Sequence, residues 1–91
     1  MITFTYDGLE ALQWVTQTGL RILYSISPEL AQFVNRDIDS IVIQKSDVTH
    51  ISHTGFSNGI NSLLAAQLFY KDNASKNRYF INKSFFEKEK V

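Results

Sequence analysis

The stretch SNGINSLLAAQLFYK, residues 57–71, decides the fold, because it fits half of a β-hairpin as well as it fits a helix. Asn58 and Gly59 are a strong hairpin signal, since both residue types accept the positive φ angles that a type I′ turn requires. Such a turn would join a strand at 48–57 to a second strand at 60–70, in which alternate residues share one face. We predict this hairpin.

The competing interpretation makes residues 60–71 a helix, with Asn58 or Asn61 as its N-cap. Two adjacent alanines, Ala65 and Ala66, favour it because alanine is the best helix former. A helix over this range would nevertheless be apolar almost all round, whereas a surface helix normally carries a single apolar stripe. The sequence therefore favours the strand and leaves the helix as the alternative.

A first helix is predicted to begin at Asp7, because Asp7 and Glu10 have the spacing of a capping box. Gly19 suits the left-handed position that closes a helix. Leu9, Leu12 and Val15 form an apolar stripe along this helix. Around the helix axis, Trp14 lies about 140° from Leu9 and about 100° from Val15. We therefore expect Trp14 to be partly exposed.

A second helix is predicted to open at Ser27 and Pro28, which are typical N-cap and first-turn residues, and to end near Asn35. The segments rich in β-branched and aromatic residues are read as strands. These strands lie at 20–26, 39–45 and 78–86, and a loop lies at 72–77. Residues 20–26 could instead extend the first helix past Gly19, but we favour the strand. The elements together predict an α+β fold, with two N-terminal helices packed on a small antiparallel β-sheet formed mainly by the second half.

Length and composition predict one compact domain over residues 1–91, with residues 86–91 as a solvated tail. A hydrophobic content of 44% is enough for a packed core, unlike that of a disordered chain. Cysteine is absent, which excludes a disulfide, a thiolate metal site and a cysteine nucleophile. No signal-peptide pattern or spanning apolar run is seen, so we expect a cytoplasmic protein without a membrane partner.

The net charge is zero, but the charges are unevenly divided along the chain. Residues 1–48 contain six acids and three bases, and residues 49–91 contain three acids and six bases, so the two parts carry about −3 and +3. This division can help to orient a partner. It is far from the strongly basic composition of a dedicated DNA-binding domain.

Both histidines, His50 and His53, lie in the segment THISHTGF and are the candidates for catalysis. On a helix their spacing places them about 60° apart, and on a strand it places them on opposite faces. On a shared face they could cleave RNA without a metal, with Lys45 or Arg78 stabilising the charge on phosphorus. We prefer the plainer interpretation, in which they are ordinary polar residues of a strand or turn. We expect no catalytic set, no metal and no cofactor.

Basic and aromatic residues are interleaved in the second half, as in surfaces that bind single-stranded nucleic acid. The basic candidates for such a surface are Lys71, Lys76, Arg78 and Lys83. The neutral net charge weighs against this function.

Aromatic residues are also common anchors of protein interfaces. The candidate partner-binding residues are Trp14, Tyr79, Phe80, Phe85 and Phe86. We therefore expect a small protein-binding module, such as an inhibitor, adaptor or regulatory subunit, whose partner is another protein or a second copy of the chain. The alternative is a domain that binds RNA or cleaves it without a metal.

Overall fold

Each of the three helices in the computed structural model begins with a hydroxyl side chain that is followed three residues later by glycine. The structure describes residues 2–88, and the helices are α1 (Tyr6–Ala11), α2 (Gln17–Asn35) and α3 (His53–Ala65). In each case the hydroxyl oxygen accepts a hydrogen bond from the glycine N–H, one of the donors that a helix start leaves unpaired. The pairs are Thr5–Gly8 at 3.1 Å, Thr16–Gly19 at 3.1 Å and Ser52–Gly55 at 2.9 Å.

Helix α2 replaces both the strand predicted at 20–26 and the helix start predicted at Ser27. It continues through Pro28, which has no N–H to donate to the carbonyl of Tyr24. Ser27 Oγ donates to that carbonyl at 3.0 Å, so the oxygen keeps a partner. A buried stripe at helical spacing stabilises the helix despite the β-branched residues in it. The stripe consists of Gly19, Ile22, Leu23, Ile26, Leu30, Ala31 and Val34.

The hairpin predicted at Asn58 and Gly59 is wrong, since both residues lie inside α3. Residues 60–71 look apolar almost all round because they contain two elements, the end of α3 and a strand at Phe69–Lys71. Within α3 alone the burial is one-sided: Gly59, Ile60, Ser62 and Leu63 are buried. A helix with one packed face is therefore compatible with this sequence, and the chain turns after the helix rather than inside it.

Helices α2 and α3 approach each other closely at Gly19 and Gly59. A Cβ atom added at Gly59 would lie 2.6 Å from Ile22 Cδ1 and 3.1 Å from the backbone nitrogen of Gly19. The Ser62 hydroxyl bridges the same contact, because it donates to the Gly59 carbonyl at 2.8 Å and accepts the Thr16 N–H at 3.3 Å. Both glycines thus serve close helix packing, and not a turn or a helix end.

The strands confirm the predicted α+β fold. A three-stranded antiparallel sheet has the order β2-β4-β3, and two short strands, β1 and β5, form a separate antiparallel pair. Their bounds are Thr3–Phe4 for β1, Ser40–Val42 for β2, Phe69–Lys71 for β3, Arg78–Ile81 for β4 and Phe86–Glu87 for β5. Strands β2 and β4 lie within the segments predicted at 39–45 and 78–86, and the predicted loop at 72–77 connects β3 to β4.

Helices α2 and α3 end in the left-handed conformation without a glycine. The φ angles are 58° at Asp37 and 65° at Gln67. After α3, the Leu68 N–H bonds to the Leu63 carbonyl at 3.2 Å and the Gln67 N–H bonds to the Leu64 carbonyl at 3.0 Å, which is a Schellman motif. The same pair of bonds closes α2. The usual glycine signal is therefore missing from these helix ends.

One cluster of buried side chains joins the helices to the three-stranded sheet and to the β1–β5 pair. Phe86 belongs to it, with its ring centroid 5.3 Å from that of Phe4 and 6.2 Å from that of Phe69. The tail predicted at 86–91 therefore begins too early, because Phe86–Glu87 form β5. Its residues 89–91 lie outside the described residues. None of the helices between residues 2 and 88 is long and apolar enough to span a membrane.

Candidate functional site

Helix α1 is held against the 3₁₀ turn Lys83–Phe85 by hydrogen bonds from its N-cap residue and by close packing at Gly8. The Thr5 N–H donates to the Phe85 carbonyl at 3.0 Å, and Thr5 Oγ1 donates to the Ser84 carbonyl at 2.8 Å. Gly8 packs directly on Phe85, where an added Cβ atom would collide with the carbonyl oxygen. Ala11 is also buried. These contacts fix the orientation of α1, and so they determine which of its side chains face outward.

Three large apolar side chains project from α1 and from the 3₁₀ turn Leu12–Trp14 that follows it. Tyr6 is 75% exposed, Leu9 is 55% exposed and Trp14 is 76% exposed. At 100° per residue within α1, Tyr6 and Leu9 lie about 60° apart, on the side opposite Gly8 and Ala11, and Trp14 follows in the 3₁₀ turn. We call Tyr6, Leu9 and Trp14 the Trp14 surface. The predicted exposure of Trp14 is confirmed, whereas Leu9 does not belong to a buried stripe.

Two carboxylates lie beside the Trp14 surface. Asp7 and Glu10 line a shallow cleft of about 330 Å³ together with Trp14, and its other walls include Ala66 and Phe85. Neither carboxylate forms an ion pair with another residue of the described chain. The exposed aromatic side chains of this surface therefore lie beside two carboxylates, Asp7 and Glu10, whose charges are not balanced by an ion pair within the described residues.

A second exposed aromatic pair lies on the outer face of the three-stranded sheet. Tyr70 and Phe80 are direct cross-strand partners in β3 and β4, and both are exposed. Asn82 Nδ2 donates to Tyr70 Oη at 3.2 Å, and Arg78 Nη1 donates to Ser40 Oγ in β2 at 3.0 Å. The buried residues of β4 alternate with its exposed ones, so the core covers only the face opposite Phe80.

The structure separates the predicted partner-binding residues. Trp14 and Phe80 are exposed on different elements, and Phe85 is half-buried. Tyr79 and Phe86 are core residues, so they do not contribute to an exposed aromatic surface. Burial raises the pKa of the Tyr79 hydroxyl above its ordinary value of 10.0.

Three of the four predicted basic residues lie near the β3–β4 loop, and the fourth lies beyond the other end of β4. They are Lys71 at the end of β3, Lys76 in the β3–β4 loop, Arg78 at the start of β4 and Lys83 after β4. Lys76 and Lys83 thus lie beyond opposite ends of the same strand.

Lys83 also forms ion pairs with acidic side chains. Its Nζ atom lies 2.7 Å from Asp39 Oδ1 and 3.9 Å from Asp37 Oδ1, and Lys88 pairs with Asp37 as well. The hydrogen bond from Lys88 and the charges of both lysines hold the pKa of the Asp37 carboxyl below its ordinary value of 3.8. Lys83 is therefore largely neutralised, which reduces its attraction for a phosphate.

The two histidines lie in different local structures. His50 is in the loop before α3 with a positive φ angle of 58°, and His53 is the first residue of α3, directly after its N-cap Ser52. Residues 47–54 thus form neither one helix nor one strand. His50 lines a cleft with Arg21 and Tyr24, and His53 does not line it.

The other residues considered for RNA cleavage lie on separate elements. Lys45 begins the 3₁₀ turn Lys45–Asp47, whereas Arg78 is bonded to Ser40 on the sheet. Within residues 2–88, no three His, Asp or Glu side chains come together in a group that could hold a metal ion.

The exposed residues Tyr6 and Leu9 were not identified from the sequence. The pattern of Thr or Ser followed three residues later by Gly, which starts all three helices, is the signal that locates α1. It places the N-cap at Thr5 instead of Asp7 and turns the small residues Gly8 and Ala11 inward, so that Leu9 faces outward.

Comparison with models of protein families, with curated protein sequences and with solved structures found no match to this chain.

Proposed function

We propose that the chain is a cytoplasmic protein-binding module that contacts its partner through the Trp14 surface. The observation that carries this proposal is the 76% exposure of Trp14 on the 3₁₀ turn that directly follows α1, the helix whose orientation is fixed by Gly8 and Phe85. Large aromatic side chains dominate the energetics of interfaces, and Trp and Tyr are enriched among the residues that contribute most. An anchor that is already held in place loses less entropy when a partner binds.

The partner is another protein or a second copy of the chain. Strands β2 and β3 are the edges of the three-stranded sheet, and each is only three residues long. Short edge strands are poor templates for pairing with another chain. Two copies of the chain are therefore expected to associate through the Trp14 surface and not through a sheet edge.

The proposal can be tested with purified protein and with extract of the source cells. Light scattering across a concentration series measures self-association, and affinity capture followed by mass spectrometry detects other partners. We expect Trp14→Ala to lose the complex, Trp14→Phe to retain part of it, and Gln32→Ala, an exposed substitution on α2, to behave like the unmodified chain. A complex that forms equally well with Trp14→Ala would refute the assignment of the surface.

A second candidate function, RNA binding, is favoured by one observation, the open sheet face that carries Tyr70, Phe80 and Arg78. Aromatic side chains on an open sheet can stack unpaired bases, while a nearby arginine contacts the phosphates. The zero net charge and the pairing of Lys83 with acids make this candidate the weaker one.

This candidate has two separate tests. Binding of a single-stranded RNA at low salt should be weakened by Phe80→Ala, and an absence of binding at low salt would remove RNA binding. Cleavage is tested by incubation with total RNA in the absence of metal, beside the His50→Ala/His53→Ala double variant. Cleavage that the double variant loses would favour an RNA-cleaving domain over a protein-binding module.

A further inference from the structure

A cleft of about 360 Å³ lies between α2 and the loop that precedes α3. Its volume falls at the lower end of the range of roughly 300–1,000 Å³ that is typical of small-molecule pockets. The cleft is independent of the Trp14 surface, since the two share no residue. Its lining residues are Arg21, Tyr24, Ser25, Val48, Thr49 and His50.

The charged and hydrogen-bonding groups of this cleft suit an anion. Arg21 forms no ion pair with any other residue between 2 and 88, so its guanidinium is available to a ligand. Residues 1–48 carry six acids against three bases, yet none of the residues that line the cleft is acidic. Arginine holds phosphate and carboxylate groups through paired N–H donors, and the Thr49 hydroxyl can add a further donor.

The backbone of His50 supports a role for this residue in the cleft. Its φ angle of 58° is left-handed, a conformation that costs a residue other than glycine about 1–2 kcal/mol. Strained residues of this kind cluster at binding sites, where the surrounding structure holds them in place. His50 lies at the wall of the cleft, together with Arg21 and Tyr24.

An aromatic ring completes the site. Tyr24 is 73% exposed, so much of its ring is uncovered, and Val48 is a buried apolar residue of the same cleft. An exposed tyrosine ring can stack on a nucleobase, whose faces are aromatic whatever the base. The site therefore presents an anion-binding side and a stacking side within one cleft.

We propose that this cleft binds a nucleoside monophosphate, whose phosphate lies against Arg21 and His50 and whose base stacks on Tyr24. The phosphate requires the cationic side chain and the N–H and O–H donors, and the base requires the exposed ring. Binding is reversible and involves no chemical step.

The experiment is a titration of the isotope-labelled full chain, followed by backbone amide NMR, with four separate probes. They are AMP, ribose 5-phosphate, inorganic phosphate and adenosine. We expect AMP to bind with a Kd of about 1 mM or lower. The changes in amide chemical shift should be confined to the two segments around residues 21–25 and 48–50. Ribose 5-phosphate and inorganic phosphate should bind about tenfold more weakly, because they lack the stacked base.

Matched variants test each contact. Arg21→Gln should weaken AMP binding at least tenfold, whereas Arg36→Gln, which removes the same charge from an exposed position at the end of α2, should leave it unchanged. His50→Gly removes the imidazole while permitting the positive φ angle, and Tyr24→Leu removes the ring; both should also weaken AMP binding.

Four results would overturn the proposal. They are the absence of saturable shifts for AMP at about 10 mM, equal weakening by Arg21→Gln and Arg36→Gln, equal affinity for adenosine and AMP, and equal affinity for AMP and ribose 5-phosphate.

Discussion

Gly19→Ala tests whether the contact between α2 and α3 requires a residue without a side chain. An added Cβ atom would collide with Ser62 Oγ and would lie 2.7 Å from Val15 Cγ1 and 3.1 Å from the Gly59 carbonyl oxygen. Ser62 cannot easily move aside, because its hydroxyl bonds to the Gly59 carbonyl, to the Thr16 N–H and to Thr16 Oγ1. The methyl group must therefore displace a helix or break this network.

The expected loss of stability follows from three contributions. Overpacking of a close contact costs about 1–3 kcal/mol, and each broken hydrogen bond adds about 1 kcal/mol. The better helix propensity of alanine offsets at most about 1 kcal/mol. We expect a net decrease of about 1–3 kcal/mol in the free energy of unfolding. This corresponds to a fall of roughly 5–20 °C in Tm for a domain of this size.

Gly55→Ala is the matched control, because Gly55 occupies the same third position of α3 and bonds to its N-cap in the same way. Its added Cβ atom would meet only side-chain atoms, at 3.1 Å from Ser52 Oγ and 3.3 Å from Ile51 Cγ1. Urea unfolding followed by circular dichroism should place this variant within about 0.5 kcal/mol of the unmodified chain.

A double variant separates the collision from other effects of the substitution. Ser62→Ala removes the oxygen that the new methyl group meets, so Gly19→Ala should cost less in its presence than alone. The expected coupling is about 1 kcal/mol. Two results would refute this account of the helix contact. The first is equal stability of Gly19→Ala and Gly55→Ala, and the second is a double variant whose loss of stability equals the sum of the losses of Gly19→Ala and Ser62→Ala.

Three further substitutions have expected outcomes. Pro28→Ala should stabilise the chain by about 1–2 kcal/mol in urea unfolding, since it restores an N–H opposite the Tyr24 carbonyl; a loss would show that the packing of α2 depends on the proline. Gln67→Gly should raise stability by about 0.5–1 kcal/mol by relieving the left-handed φ angle, whereas Gln67→Ala, which keeps that angle, should not. Tyr79 has a raised pKa in the folded chain, so its contribution to stability is complete below pH 10.0 and declines above it. As the pH rises from about 9 to about 11, the Tyr79→Phe variant should therefore lose less stability than the unmodified chain. Equal losses would show that the Tyr79 hydroxyl does not have a raised pKa in the folded chain.

The parts of the fold that could be predicted from the sequence are those with a local signal. Strands β2 and β4 contain runs of β-branched or aromatic residues, and the polar segment 72–77 is a loop. The α+β class follows from such signals, and it is confirmed. The exposure of Trp14 is also confirmed, although its basis was incomplete, because Leu9 is itself 55% exposed and Trp14 lies in a 3₁₀ turn and not on the predicted helix.

The wrong predictions of a turn and of a helix end both rest on a glycine. A glycine can serve either to permit a positive φ angle or to let two elements approach closely, and the sequence alone does not distinguish these two roles. Gly19 and Gly59 were read as residues that permit positive φ, but the structure uses their lack of a side chain at the α2–α3 contact. The described residues with left-handed backbone are instead Asp37, His50, Gln67 and Asn77. Which use applies depends on a neighbour that is distant in sequence, so local patterns could not decide it.

The candidate sites depend on the same kind of long-range information. Tyr79 and Trp14 are both aromatic residues in mixed surroundings, and only the tertiary structure, in which Tyr79 joins the core cluster, shows that the first is buried. The cleft at His50 combines residues of α2 with a loop more than twenty positions further along the chain. No spacing rule connects Arg21 to His50.

The anchoring of α1 has a consequence for the order of folding. Thr5 and Ser84, which fasten this helix to the chain, are 79 positions apart in the sequence, and β1 pairs with β5 over a similar separation. Contacts of such high contact order form late and contribute little to the folding nucleus. Helix α1 should therefore dock last and exchange its amide protons early in native-state hydrogen exchange. A partner that recognises Trp14 together with the docked helix before it would thus select chains that have completed folding over nascent or partly opened ones.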